Sequence, residues 1–149
     1  MALSTSLRRG SLFALTTQNT DLRSGTISLE ITKNGRGIVL PLVGEALEIV
    51  RQLASRSTDG YLFPRGKGNP WGHYRAAFEH AVKRAQLANF SFHGLRHSAA
   101  SYLVQMGVPL IVVSEILAHS SVTMTQRYAH LDGGNVKAAL ELLAQRLVM

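Results

Sequence analysis

Residues 90–107 read FSFHGLRHSAASYLVQMG, and the fold turns on how this stretch is read. The pattern predicts a helix. Ser91 is placed to cap its start and Gly107 to end it. Leu95, Ala99, Tyr102, Leu103 and Met106 recur at spacings of three and four, which predicts an apolar stripe facing a core. The first turn also carries His93, Arg96 and His97. His93 and Arg96, three apart, share a helical face, beside backbone N–H groups that favour an anion. An Arg and a His there suit a phosphate; the plainer alternative is an exposed Arg and a His that only packs or caps. His93 and His97, four apart, suit a metal by spacing alone. No Glu follows His93, however, and a zinc site would need a third ligand. His97 is therefore expected to be a buried, hydrogen-bonded core histidine, with no metal bound.

Working outward, Pro109 is expected at the favoured first position of another helix, with Ile111, Val112, Ile116 and Leu117 as its apolar positions. SSVTMTQRYAHL (120–131) predicts a short helix capped by Ser120 or Ser121, and NVKAALELLAQRLVM (135–149) a Leu-rich helical tail. On the N-terminal side, WGHYRAAFEHAVKRAQL (71–87) is an amphipathic helix. STDGYLFPRGKGNP (57–70) is a loop with a short strand at 61–63. GEALEIVRQLASR (44–56) places Ala46, Ile49, Val50 and Leu53 at helical spacing. TISLEITKNGRGIVLPL (26–42) predicts a β-hairpin, because Asn34-Gly35 favours the positive φ of a tight turn and Pro41 ends the second strand. STSLRRGSLFAL (4–15) predicts one helix with Leu7, Leu12 and Leu15 as its apolar positions. The sum is α+β, mostly helical, with a small antiparallel sheet near the N-terminus.

Length and composition set the outer limits. A chain of 149 residues with 46% hydrophobic residues fits one ordered domain. No apolar run approaches the roughly 20 residues of a membrane span, and the first residues lack the apolar core of a signal peptide. The absence of cysteine excludes a disulfide framework and a thiolate nucleophile. A soluble, cytoplasmic protein without a membrane partner is expected. Sixteen Lys and Arg against nine Asp and Glu give a net charge of +7, which suggests a polyanion such as nucleic acid.

His119 lies at a helix end and Tyr128 nine residues further on. That tyrosine can pack between Arg127 and His130, or it can be a nucleophile. Its phenol, with an ordinary pKa of about 10, would then need cations or a base beside it.

Together, HGLRH (93–97), LAHSSVTMTQRYAHL (117–131), a Lys on the hairpin and TSLRRG (5–10) resemble the catalytic domain of the tyrosine site-specific recombinases, the phage integrase family. The family order of Arg, Lys, His-x-x-Arg, His or Trp, then Tyr falls on Arg8, Lys33, His93, Arg96, His119 and Tyr128, with Arg36 a rival for Lys33. The likeness runs from about residue 4 to 132. It implies metal-free and cofactor-free cleavage of a double-stranded DNA attachment site. Tyr128 would form a 3′-phosphotyrosyl link, Arg8 and Arg96 would hold the non-bridging oxygens, and Lys33 would protonate the leaving 5′-oxygen. His93 would handle the tyrosine proton and His119 would donate to the phosphate. It also implies a tetramer on DNA.

The chain departs from that family in having Ser6 and Ala118 where glycine is usual, and Ser11 where Glu usually supports the first Arg. The family's N-terminal DNA-clamping domain has no counterpart here, so residues 1–149 are expected to be a truncated catalytic domain. Residues 133–149 are expected to pack in cis or swap into a partner. Three other readings compete. One is a non-catalytic helix-turn-helix-like DNA-binding module on residues 93–106 and 109–118. Another is an inactive catalytic fragment, and the last a zinc hydrolase on His93 and His97.

Overall fold

The structure, a computed structural model, describes residues 1–29, 37–64, 70–131 and 140, with only the backbone for 70–73. Lys33, the Asn34-Gly35 turn and nearly all of the C-terminal tail lie outside the described residues. The elements run α1 (Ala2–Thr5), α2 (Arg9–Phe13), β1 (Thr20–Asp21), β2 (Thr26–Leu29), β3 (Ile38–Pro41), α3 (Glu45–Arg56), α4 (Pro70–Arg84), α5 (Phe92–Gln105) and α6 (Leu110–Ile116). Two short 3₁₀ helices follow, Val122–Met124 and Gln126–Leu131. The α-rich α+β class is as the sequence predicts. The chain divides into two compact units, Met1–Ala99 and Ala100–Met149.

In the first unit the sheet is antiparallel in the order β1-β2-β3. β2 and β3 pair from Thr26↔Pro41 to Leu29↔Ile38, as expected of the two arms of a hairpin. β1, which the sequence pattern did not reveal, adds Thr20↔Ile27 and Asp21↔Thr26. Alternation puts Ile27 and its partner Leu40 inside, while Val39 faces outward. α3 covers this core with Ala46 and Val50, one turn apart. Leu7, Leu12, Leu15, Leu42 and Leu62 complete it. Leu15, Ile27 and Leu62 are fully buried, each worth about 1.5–3 kcal/mol. Phe13 joins an aromatic cluster, with ring centroids 5.1 Å from Phe63, 5.2 Å from Tyr74 and 6.0 Å from Phe92. The cluster anchors the first turn of α5.

In the second unit Ala100 and Val104 from α5, Val113 and Leu117 from the α6 segment, and Tyr128 form the core.

Four expectations are corrected. The N-terminal helix is two helices, because Ser6 takes left-handed geometry (φ 54°) and Arg8 is extended. Leu7 and Leu12 lie roughly 140° apart around a continuous helix; the break lets both be buried. On α5 the buried residues are Arg96, Ala99, Ala100 and Val104; Ala99 is buried as expected and Leu95 and Leu103 are half-buried, while Tyr102 and Met106 are 60% and 77% exposed. The stripe is turned from its expected place because Arg96, and not Leu95, occupies the inner position. On α6, Ile111 and Val112 are exposed and Val113 and Leu117 are buried; Pro109 sits just before the helix and not inside it. Finally, residues 61–63 form no strand: Tyr61 makes an isolated bridge to Thr16.

Candidate active site

In the first unit the site is built on the start of α5. Ser91 caps the helix: its Oγ accepts the Gly94 N–H at 3.3 Å, and its carbonyl accepts the same N–H at 2.9 Å. At position 94 a Cβ would meet the Phe90 ring at 2.9 Å, so a side chain there requires that ring to shift. His93 is exposed on this turn, whereas Arg96 is only 4% exposed. A buried guanidinium is costly unless it is bonded. Arg96 Nη1 donates to the Ser6 carbonyl at 2.7 Å. The left-handed turn at Ser6 belongs to the segment that presents Arg8, two residues on, so the bond ties Arg96 to that segment.

Arg8 is exposed at the start of α2. It lines a cleft of about 620 Å³ together with Arg9, Arg75, Ser91 and His93. Among the described residues of the lining, Glu79 is the one acidic group, against three arginines. Arg75 Nε donates to Glu79 Oε1 at 2.7 Å, and that hydrogen bond raises the Arg75 pKa further. The excess of guanidinium makes the cleft an attractive place for an anion. The His93 and His97 rings meet edge to face, 4.4 Å apart. Among the described residues no third His, Cys, Asp or Glu joins them to make a metal-binding group. His97 is half-buried, not enclosed in a core as expected.

In the second unit α6 ends in a double hydrogen-bonded cap. The Ala118 N–H donates to the Glu115 carbonyl at 2.9 Å, and the His119 N–H to the Ser114 carbonyl at 3.0 Å. This arrangement needs a left-handed residue at 118, and Ala118 takes φ 50°. His119 therefore leaves the helix at a fixed angle. Its Nδ1 lies 2.8 Å from Thr125 Oγ1. Ser121 starts the next turn by accepting the Thr123 N–H at 3.2 Å. Tyr128 is 6% exposed, and its N–H donates to the Thr125 carbonyl at 2.9 Å.

The structure thus brings Arg8 and His93 to one cleft and ties Arg96 to the Arg8 segment. It links His119 and Tyr128 through Thr125. Lys33 falls outside the described residues. Sequence reasoning passed over Arg75, the Ser6 carbonyl and Thr125. Arg75 signalled itself only by its four-residue spacing to Glu79, and Thr125 looked no different from Thr123 in the same polar run. A carbonyl leaves no trace in side-chain patterns.

A model of the phage integrase family matches residues 1–134. The integrase of Salmonella phage P22 is 34% identical over 144 residues, covering 87% of this chain and 37% of that protein. The tyrosine recombinase XerD of Vibrio cholerae is 30% identical over 147 residues, covering 89% of this chain and 48% of that protein. The chain spans less than half the length of either relative. Among solved structures, the catalytic domain of bacteriophage HP1 integrase is similar with a TM-score of 0.73 at 27% identity, over 94% of this chain and 76% of that one.

Proposed function

The chain belongs to the phage integrase family, and from that premise we propose that residues 1–149 act as a catalytic domain that cleaves and rejoins double-stranded DNA through a 3′-phosphotyrosine. The observation that carries the proposal is Arg96. A cation is buried on the inner face of α5, satisfied by the carbonyl of Ser6 and thereby fixed beside the segment of Arg8. Guanidinium forks match non-bridging phosphate oxygens, and donors fixed in advance where negative charge develops are each worth roughly 10²–10³ in rate.

In this mechanism Arg8 and Arg96 hold the phosphate. Tyr128 Oη attacks phosphorus, the bond to the 5′-oxygen breaks, and a 3′-phosphotyrosyl ester remains. The departing 5′-oxygen takes its proton from Lys33. His93 handles the proton of the Tyr128 phenol, and His119 donates to a phosphate oxygen. The phosphoryl ester conserves the bond energy, so a 5′-hydroxyl from a partner strand reverses the step without ATP, metal or other cofactor. The net charge of +7 suits the polyanion. Assembly as a tetramer on DNA, docking of residues 133–149 in cis or on a neighbour, and a cytoplasmic location complete the reading. Among the described residues no helix is long and apolar enough to cross a membrane.

The test is a covalent trap. The full chain is incubated, with chelator present, with nicked suicide DNA carrying candidate attachment sequences, and resolved on a denaturing gel. The expected result is a protein–DNA adduct that Tyr128→Phe abolishes. DNA binding with no adduct points instead to a helix-turn-helix-like module or an inactive fragment. Activity lost with chelator returns the zinc reading.

A further inference from the structure

We infer that Thr125 is a positioning residue for His119: its hydroxyl donates to Nδ1 and holds the imidazole as the Nε2–H tautomer. The direction of that bond rests on the strand-cleavage reading above; the tautomer itself is measured without DNA. Thr125 is fully buried, and its Oγ1 lies 2.8 Å from His119 Nδ1. Burying a hydroxyl is unfavourable unless it is hydrogen-bonded, and valine would fill the same volume without a polar atom. Here the hydroxyl meets an imidazole nitrogen.

The direction of that bond follows from what His119 must do. A neutral imidazole has one N–H and one lone-pair nitrogen. An ionised phosphate oxygen only accepts, so the nitrogen that serves it must carry the proton. With Nδ1 engaged by Thr125, that nitrogen is Nε2, and Nδ1 must be the acceptor. A hydroxyl fits this role because it donates as readily as it accepts. The partner of one ring nitrogen decides which tautomer the other presents.

The backbone adds a second function. The Thr125 carbonyl accepts the Tyr128 N–H at 2.9 Å, so one residue fixes the ring of His119 and the backbone of the nucleophile together. The cap at Ala118 and His119 sets where the imidazole starts, and Thr125 sets how it is turned.

The tautomer can be read on the full chain without DNA. Nitrogen-15 imidazole spectra are recorded well above the ordinary histidine pKa of about 6.5, with the His119 signals assigned by their loss in His119→Gln. Wild type and Thr125→Ser are expected to show His119 protonated at Nε2, and Thr125→Val a mixed or Nδ1–H ring. In single-turnover cleavage of suicide DNA, Thr125→Val should lower the rate constant by about 10–100-fold with DNA affinity unchanged, and Thr125→Ser should restore it to within about threefold. If Thr125→Val does not fold, the wild-type and Thr125→Ser spectra decide. An Nδ1–H ring in the wild type overturns the inference, as does Thr125→Val with wild-type tautomer and rate. A wild type that forms no adduct sinks the strand-cleavage reading alone, and the spectra still settle Thr125.

Discussion

Replacing Ala118 with glycine should stabilise the protein, and replacing Gly107 with alanine should destabilise it, by similar amounts. Both residues close a helix with the same pair of hydrogen bonds. Gly107 and Val108 donate to Val104 and Leu103, and Ala118 and His119 donate to Glu115 and Ser114. Both have positive φ, 78° at Gly107 and 50° at Ala118. A residue with a Cβ meets a cost of roughly 1–2 kcal/mol there. Glycine avoids it but gives back about 0.4–1 kcal/mol through the greater freedom of its unfolded chain. The net for Ala118→Gly is a gain of about 0.5–1 kcal/mol, or about 1–4 °C in Tm for a domain of this size. For Gly107→Ala the same arithmetic runs backwards. A Cβ at 107 meets nothing within 4 Å, so that loss would come from the backbone alone. Urea unfolding followed by circular dichroism measures both variants, read from the midpoint at constant slope. If the two move stability in the same direction, left-handed strain is not what separates them, and the account of the α6 cap is wrong.

Two further outcomes follow from the first unit. Arg96→Lys should lower single-turnover cleavage by about 10²–10³-fold, because an ammonium cannot both reach the Ser6 carbonyl and offer a planar fork to phosphate; a fall of less than about threefold would remove Arg96 from the chemistry. The Ser24 hydroxyl, then the N–H groups of Arg23 and Ser24, hold the Asp21 carboxyl below its ordinary value of 3.8. A lowered acid pKa stabilises the fold above the ordinary value, and that contribution is lost as pH falls through the folded one. Thermal melts should therefore show any advantage of wild type over Asp21→Asn shrinking as pH drops below about 3.8. An advantage that stays level across that range would refute the assignment.

Much of this fold was legible because burial follows period. Ile27 and Leu40 alternate inward, and Ala46 and Val50 recur one helical turn apart. Where the reading failed, a polar or backbone event had overridden the period. Arg96 took an inner position on α5 that hydrophobicity alone assigned to Leu95. The chain turned left-handed at Ser6, where nothing in a serine announces it. Yet Ser6 and Ala118 are the two positions where the resembled family usually has glycine, and both have positive φ, 54° and 50°. The backbone geometry gives that preference a physical cause. At the candidate site the charged side chains were visible and their supports were not. Arg8, His93 and Arg96 stand out by type and spacing. The Ser6 carbonyl and the Thr125 hydroxyl matter only through partners that the fold supplies.

The crowding at Gly94 makes its own demand. The Phe90 ring lies so close over this turn that hydrogen is the largest substituent accommodated without a shift, the would-be Cβ falling 2.9 Å from Cε2. Position 94 sits between His93 and Arg96, and any larger group there must push out the ring. A library randomised at codon 94 and selected for DNA rejoining should return glycine almost alone. Randomising codons 90 and 94 together should recover alanine or serine only in clones that have traded the phenyl ring for something smaller.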